Sequence, residues 1–223
     1  MQDVTNVVIA AAGMGQRIGL GLPKCMIEID GQTILTRLIN TLRPHVSVIH
    51  LVVGYREEMV IEYCAIHHRD IVLVRNPNFR CTNTADSLSL GAQHLSGKVL
   101  YLDGDLLISH ESLKSYLAAA RTKDILVGLT EAKSENAVFV HGKDYGNFIK
   151  ISEFSRDNKS EFEWANVVVA PNDFMNGASG YVFERLTEHF PLEGYVLNLA
   201  EVDTPRDLND AREFARLLDK SKP

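Results

Sequence analysis

The chain has 223 residues, 45% of them hydrophobic and 23% charged, enough to bury the core of one large domain or two small ones. Its formal net charge of −6 argues against a nucleic-acid binder, and no apolar run approaches the roughly 18 residues of a membrane span. Cys25, Cys64 and Cys81 share no C-x-x-C spacing, and Met1-Gln2-Asp3-Val4 opens no secretory leader. Free thiols, no zinc site and a cytoplasmic protein are therefore expected.

Residues 4–11 read as a buried strand that empties into Ala11-Ala12-Gly13-Met14-Gly15-Gln16-Arg17, with Pro23-Lys24 following. Glycines after a buried strand leave backbone N–H groups open to an anion, because no Cβ blocks the approach. Arg17 and Lys24 bring two cations to the same mouth, which makes a polyphosphate cradle. It is neither of the two commonest kinds. The P-loop pattern G-x-x-x-x-G-K-[ST] is absent, and the dinucleotide fingerprint would need glycine where Ile18 stands. The competing reading is a tight turn built by Gly13 and Gly15.

Residues 33–42 then place Ile34, Leu35, Leu38, Ile39 and Leu42 at helical spacing. Strands are expected at 47–53, 71–74 and 98–102, and helices at 57–67 and 86–94. This β-α-β-α rhythm predicts parallel strands covered by helices on both faces. Ligands of such a sheet sit beyond the carboxyl ends of its strands, so the loops at Gly13, Asn76 and Asp103 should converge. Between Asn76 and Ser87, the Asn, Thr and Ser side chains offer the donors and acceptors that a base edge needs. Helix capping by Asn83 or Thr84 is the alternative. Leu102-Asp103-Gly104-Asp105 sets two carboxylates at a strand end, where they would repel a polyphosphate unless Mg²⁺ reverses the sign. A solvated Asp-Gly-Asp turn is the other reading.

Further on, 125–130, 137–140, 148–154 and 164–169 are short β-type segments, with turns at 144–147 and 156–159. They look like antiparallel additions to one domain spanning 1–223. The sole tryptophan, Trp164, beside Glu163, offers an indole face for an amino-alcohol cation, with Tyr181 and Tyr195 able to complete a cage. A core tryptophan is the alternative. Near the end, Thr204 fits an N-cap, Pro205 a first helical residue and Asp207 a capping-box acid. Glu201 and Asp203 are left unexplained by capping, and Asp203 is a candidate second metal ligand.

Together these residues resemble the nucleotidyltransferase superfamily that makes activated sugars and phospho-alcohols. The resemblance is greatest to bacterial phosphocholine cytidylyltransferases and relatives that activate aminoethylphosphonate or inositol phosphate. It is carried by the 11–17 loop with Pro23-Lys24, by 83–87 before Leu88, and by Asp103-Gly104-Asp105 with Asp203. It implies a single-domain α/β, Rossmann-like mixed sheet, mostly parallel with antiparallel additions. It further implies that Ala10, Ala11, Ala12, Gly13, Met14, Gly15, Asn76, Thr84, Ser87 and Asp103 bind the nucleotide, and that Lys24 and Arg17 act on its phosphates. By the same resemblance Asp105 and Asp203 hold Mg²⁺; from the residues themselves, Trp164, Glu163, Tyr181 and Glu201 are the candidates to meet the acceptor. Gln16 departs from the Ser or Thr that many relatives carry there.

The implied reaction moves CMP from CTP to the phosphate or phosphonate of a small alcohol such as phosphocholine, releasing pyrophosphate. A sugar-1-phosphate nucleotidyltransferase using UTP, dTTP or GTP is the nearest alternative; a non-catalytic nucleotide-binding domain is the one from another class. The expected partners are a nucleoside triphosphate and a phosphorylated acceptor, with no nucleic acid and no membrane. Base, acceptor and oligomeric state stay open.

Overall fold

In the computed structural model, which describes residues 2–134 and 137–220, the first apolar run forms β1 (Val4–Ala11) as expected. A short hairpin, β2 (Glu28–Ile29) and β3 (Gln32–Thr33), leads into α1 (Ile34–Leu42), β4 (Val48–Val53), α2 (Glu57–His67), β5 (Val72–Arg75), α3 (Thr84–Ala92) and β6 (Lys98–Asp103). Then come β7 (Leu106–Ile108), α4 (His110–Ala120), β8 (Leu126–Glu131), β9 (Phe139–Asp144), β10 (Ile149–Ser155) and β11 (Phe162–Pro171). The chain closes with α5 (Val182–Thr187), β12 (Leu192–Val196), β13 (Leu199–Glu201) and α6 (Pro205–Lys220).

Nine strands make one mixed sheet in the order β5-β4-β1-β6-β11-β8-β12-β10-β9. The first four are mutually parallel, and only β11 and β10 run against the rest. The α/β domain is thus mostly parallel with antiparallel additions, as expected. Alternation along β1 decides which helices lie where. Val7 and Ile9 face α1, α2 and α4, while Val8 faces α3 and α5. Helix α1 forms because its five apolar residues fall on one stripe, all wholly buried, and because Thr33 accepts from the Thr36 N–H at 3.0 Å as N-cap. Helix α3 begins two residues before the expected 86, because the Asn83 N–H finds Asp86 Oδ2 at 3.0 Å. The β2–β3 hairpin, β7, α4, α5 and β12 are elements that the chain-order reading passes over.

A third apolar cluster joins Ile18, Ile29, Ile34 and Leu107 to Val202, Leu208, Ala211 and Ala215. It anchors the loop after β1 against α6. Among the described residues no helix is long and apolar enough to cross a membrane.

Two predictions follow from the packing. A Cβ on Gly91 of α3 would lie 2.3 Å from Val8 Cγ1 and 2.7 Å from Val52 Cγ2. Overpacking of that kind costs roughly 1–3 kcal/mol, more than the ~1 kcal/mol of helix propensity that alanine adds. Gly91→Ala should therefore lower the urea midpoint; a raised midpoint would show that α3 lifts freely from the sheet. The second concerns thiols. Cys25 and Cys64 are buried and Cys81 is exposed, all three free. Burial pushes the Cys25 thiol up to about 12, aided by Cys64 and Asp105, and the Cys64 thiol up to about 11. A colourimetric thiol reagent at neutral pH should titrate Cys81 alone in the native protein and all three cysteines in denaturant.

Candidate active site

The carboxyl ends of β1 and β6 open into a cleft of about 970 Å³. Asp103 lies opposite Ala10, and the Gly104 N–H donates to the Ala10 carbonyl at 2.8 Å. A Cβ on Gly104 would stand 2.9 Å from Ala11 Cβ, so glycine is what lets Asp103-Gly104-Asp105 fold over the strand end. Asp105 leads into β7, which pairs with β13 so that Leu106 faces Glu201 and the Val202 N–H donates to the Asp105 carbonyl at 3.0 Å. This small ladder carries Asp203 to the side of Asp105. The expected capping box completes the placement. Asp207 Oδ2 accepts from the Thr204 N–H at 2.8 Å and the Asp203 N–H at 3.3 Å, and the Asp207 N–H returns to Thr204 Oγ1 at 3.3 Å.

Lys24 reaches both acids from a short 3₁₀ turn after Pro23. Its Nζ donates to Asp105 Oδ2 at 2.7 Å and to Asp203 Oδ1 at 2.6 Å, while Arg17 Nη1 pairs with Asp203 Oδ2. The lysine stem crosses Gly15, where a Cβ would come within 2.9 Å of Lys24 Cγ and where φ is +57°. Gly15 is therefore required twice over, by its backbone and by its neighbour. At Gly13 the space is open, as an approaching anion would need. Ala10, Ala11, Ala12, Met14 and Gly15 line the same cleft.

Carboxyl groups crowd this end of the cleft. Burial first, then Asp105 and Asp203, hold the Asp103 carboxyl well above the usual carboxylate range against the pull of Lys24. Glu201 is raised by burial and by the same acids with Asp103. Burial presses the Lys24 ammonium toward deprotonation, but the attraction and hydrogen bonds of Asp105 and Asp203 together outweigh it and raise its pKa. Asp105 Oδ1 is buried with no hydrogen-bond partner. An orphaned carboxylate oxygen in such a field is a natural ligand for a hard cation. Among the described residues no three His, Cys, Asp or Glu side chains form a ready-made metal cage. Mg²⁺ takes one or two carboxylates and completes its octahedron with water and substrate phosphates. The donor set fits the implied ion.

From the loop between β5 and α3, Thr84 and Ser87 line the cleft and Asn76 does not. Asn76 is buried, its Nδ2 donating to Thr82 Oγ1 and Ser87 Oγ, both at 3.0 Å, and its Oδ1 accepting from the Asn78 N–H. This corrects its expected place against the nucleotide: a buried amide must be paired, and Asn76 spends its groups shaping the loop.

On the far wall, Glu163, Trp164, Tyr181 and Glu201 all line the cleft, but they do not make an open cage. Trp164 is 8% exposed and meets Phe154 edge-on at 6.4 Å. Glu163 accepts from the Lys133 and Ser134 N–H groups and from Ser134 Oγ at 2.8 Å. Glu201 Oε2 accepts from Asn166 Nδ2 at 3.2 Å. Tyr195 is not at the cleft; it packs on Tyr116 in the core on the other side of the sheet, which corrects its expected share in the cage. The exposed ring of Tyr181 already carries a cation, the Arg156 guanidinium, 5.2 Å from its centroid. Arg156 and Asn166 are residues that sequence reasoning misses. Arg156 stands in a segment that reads only as a turn, and Asn166 is singled out only by its φ of +55°.

The chain is similar to several known proteins. The family model described as MobA-like NTP transferase domain matches residues 7–173. A Neisseria meningitidis protein described as bifunctional protein GlmU is 37% identical over 123 residues, covering 53% of this chain and 26% of that protein. The chain thus spans about a quarter of that relative's length. Among solved structures, CTP:phosphocholine cytidylyltransferase LicC from Streptococcus pneumoniae has a TM-score of 0.73 at 16% identity, covering 96% of this chain and 100% of its own. UDP-glucose pyrophosphorylase from Acinetobacter baumanii has a TM-score of 0.75 at 12% identity, covering 98% and 100%. At these identities the likeness is one of fold.

Proposed function

The chain belongs to the MobA-like NTP transferase domain family, and on that footing we propose that it transfers a nucleoside monophosphate from a nucleoside triphosphate to the phosphate or phosphonate of a small acceptor. The observation that carries this reading is the meeting of Lys24, Asp105 and Asp203 beside a glycine loop in one cleft. An acceptor oxygen attacks the α-phosphorus in line; the bond from that phosphorus to the bridging oxygen breaks, and pyrophosphate leaves with the electron pair. Both reactants are anions, so the protein's work is positioning and charge compensation. Backbone N–H groups from Gly13 to Gly15 hold the triphosphate, and Thr84 and Ser87 with the backbone of Ala10 to Ala12 face the base. Arg17 and Lys24 balance charge at the reacting phosphates, Lys24 exchanging its carboxylate partners for phosphate oxygens. The acceptor is already ionised near neutral pH, so no general base is needed. Asp105 and Asp203 are the residues that would hold Mg²⁺, which when bound would polarise the phosphate oxygens and neutralise their charge.

For base and acceptor, CMP transfer from CTP to a small phospho-alcohol is the reading that the sequence resemblance supports. A sugar 1-phosphate is the second, supported by the hydroxyl-matching groups of Thr130, Ser134, Asn166 and Asn198 along the cleft. In a purely regulatory nucleotide-binding domain Lys24 would be no more than a counter-ion between two acids.

A pyrophosphate-release screen, four nucleoside triphosphates against phospho-alcohols, phosphonates and sugar phosphates, tests the reading. Asp105→Ala and Asp203→Ala should each abolish release, as should excess chelator on the unaltered protein; full activity in chelator would contradict the metal assignment. Lys24→Ala should lower kcat on the order of 10²–10³-fold, by analogy with the loss of one preorganised charge-stabilising donor. Unchanged turnover would make Lys24 a structural counter-ion only.

A further inference from the structure

Every arginine outside the cleft donates to a protein oxygen, as Arg37 does to Asp219, Arg43 to Asp70, Arg75 to Glu57 and Arg216 to Asp30. Among the described residues three arginines donate to none: Arg80, Arg156 and Arg206, and all three line the cleft. Arg156 is the one on the acceptor wall. Its guanidinium lies 5.2 Å from the Tyr181 ring centroid and 5.0 Å from that of Phe183, two rings stacked on each other at 5.7 Å. Contact with ring faces leaves the N–H fork unused, and that fork is the group that matches a carboxylate bidentately.

The platform beneath it is fixed. The Gly180 N–H donates to Asp86 Oδ2 at 3.2 Å, the Ala85 N–H donates to the Gly180 carbonyl at 3.2 Å, and the Tyr181 N–H donates to Glu184 Oε2 at 3.2 Å. Lys133, another cation on this wall, is paired with Glu131 at 3.7 Å. Arg156 is also displaced from the acidic centre along β11. It follows Ser155, which pairs with Phe139 of β9; Phe139 pairs with Glu163 of β11, and β11 flanks β6 with its Asp103. β9 meets β11 at Phe162 and Glu163 and β6 meets the same edge from Val167 onward, so this end of the cleft is set apart from the acidic centre by four residues along β11, roughly 10 Å with the bulge between them. A quaternary ammonium at this end would meet a like charge on the very ring face it needs.

We propose that Arg156, seated on Tyr181 and Phe183, recognises a second anionic group on the acceptor. The acceptor is then a small phosphorylated molecule carrying a carboxylate at the end remote from the phosphate that reacts. This rests on the nucleotidyl-transfer reading above.

Three probes of similar size separate the charges: 3-phosphoglycerate, sn-glycerol 3-phosphate and phosphocholine. In pyrophosphate release, 3-phosphoglycerate should show a KM at least about ten-fold below the other two. Arg156→Gln should raise that KM about ten-fold while leaving kcat and the glycerol 3-phosphate KM within two-fold, and Arg156→Lys should recover part of the loss. Equal KM values across the probes, or equal losses for all three in Arg156→Gln, would overturn the proposal. Calorimetric titration of the same probes into the two proteins without nucleotide keeps the readings apart. Selective, Arg156-dependent binding of 3-phosphoglycerate with no pyrophosphate release from any triphosphate would refute transfer but uphold the anion site. Release without charge selectivity would do the reverse.

Discussion

Four carboxyl groups, those of Asp103, Asp105, Glu201 and Asp203, act on one another at the end of the central strands, and a single half-buried ammonium stands between two of them. Taking charges out of water is costly, and a carboxylate pair without a counter-ion would drive itself apart or take up protons. Lys24 prevents this. Much of the local architecture is arranged so that it can. Gly15 clears a path for the lysine stem, Gly104 lets the Asp103 to Asp105 segment bend over β1, and the β7–β13 ladder brings Asp203 in from the far end of the chain. The third apolar cluster then ties the loop carrying Ile18 to the helix that follows Asp203, so the cationic and acidic partners are held by one patch of core.

The sheet divides the cleft in two. Its parallel half, β5-β4-β1-β6, contributes the glycine loop and the 76–87 loop, both at carboxyl ends of strands, where helix N-termini and free N–H groups suit phosphate and base. Its mixed half, beyond β6, contributes the opposite wall through β11 and the β9–β10 hairpin. The hydrogen bonds from the Gly180 N–H to Asp86 Oδ2 and from the Ala85 N–H to the Gly180 carbonyl join the start of α3 directly to the segment that carries Tyr181. The two halves of the cleft are mechanically continuous.

Some of this was legible in the chain because the signals are local. The i, i+3, i+4 stripe of α1, the apolar run of β1 and the Thr204-Pro205-Asp207 cap each report on a few neighbouring residues, and each formed where its pattern lies. The loop and strand-end motifs point to Lys24, Arg17, Asp105 and Asp203, and the fold brings these four side chains together. What was hidden depends on pairing between distant segments. Asn76 reads as a loop residue open to ligand, yet the fold turns it inward onto Ser87. Tyr195 could be assigned to a face only once β12 was known, and β12 is a short strand defined by its neighbours β8 and β10. Arg156 carries no pattern at all; its meaning comes from two rings that follow it in the chain by more than twenty positions.

The most direct test of the central claim is a crystal structure with a non-hydrolysable nucleoside triphosphate analogue and Mn²⁺, read by anomalous scattering. The account predicts a metal peak at the Asp105 and Asp203 carboxylates, the phosphates along Gly13 to Gly15, and Lys24 Nζ moved onto a phosphate oxygen. A structure in which Lys24 still bridges both acids while the phosphates lie elsewhere in the cleft would contradict it.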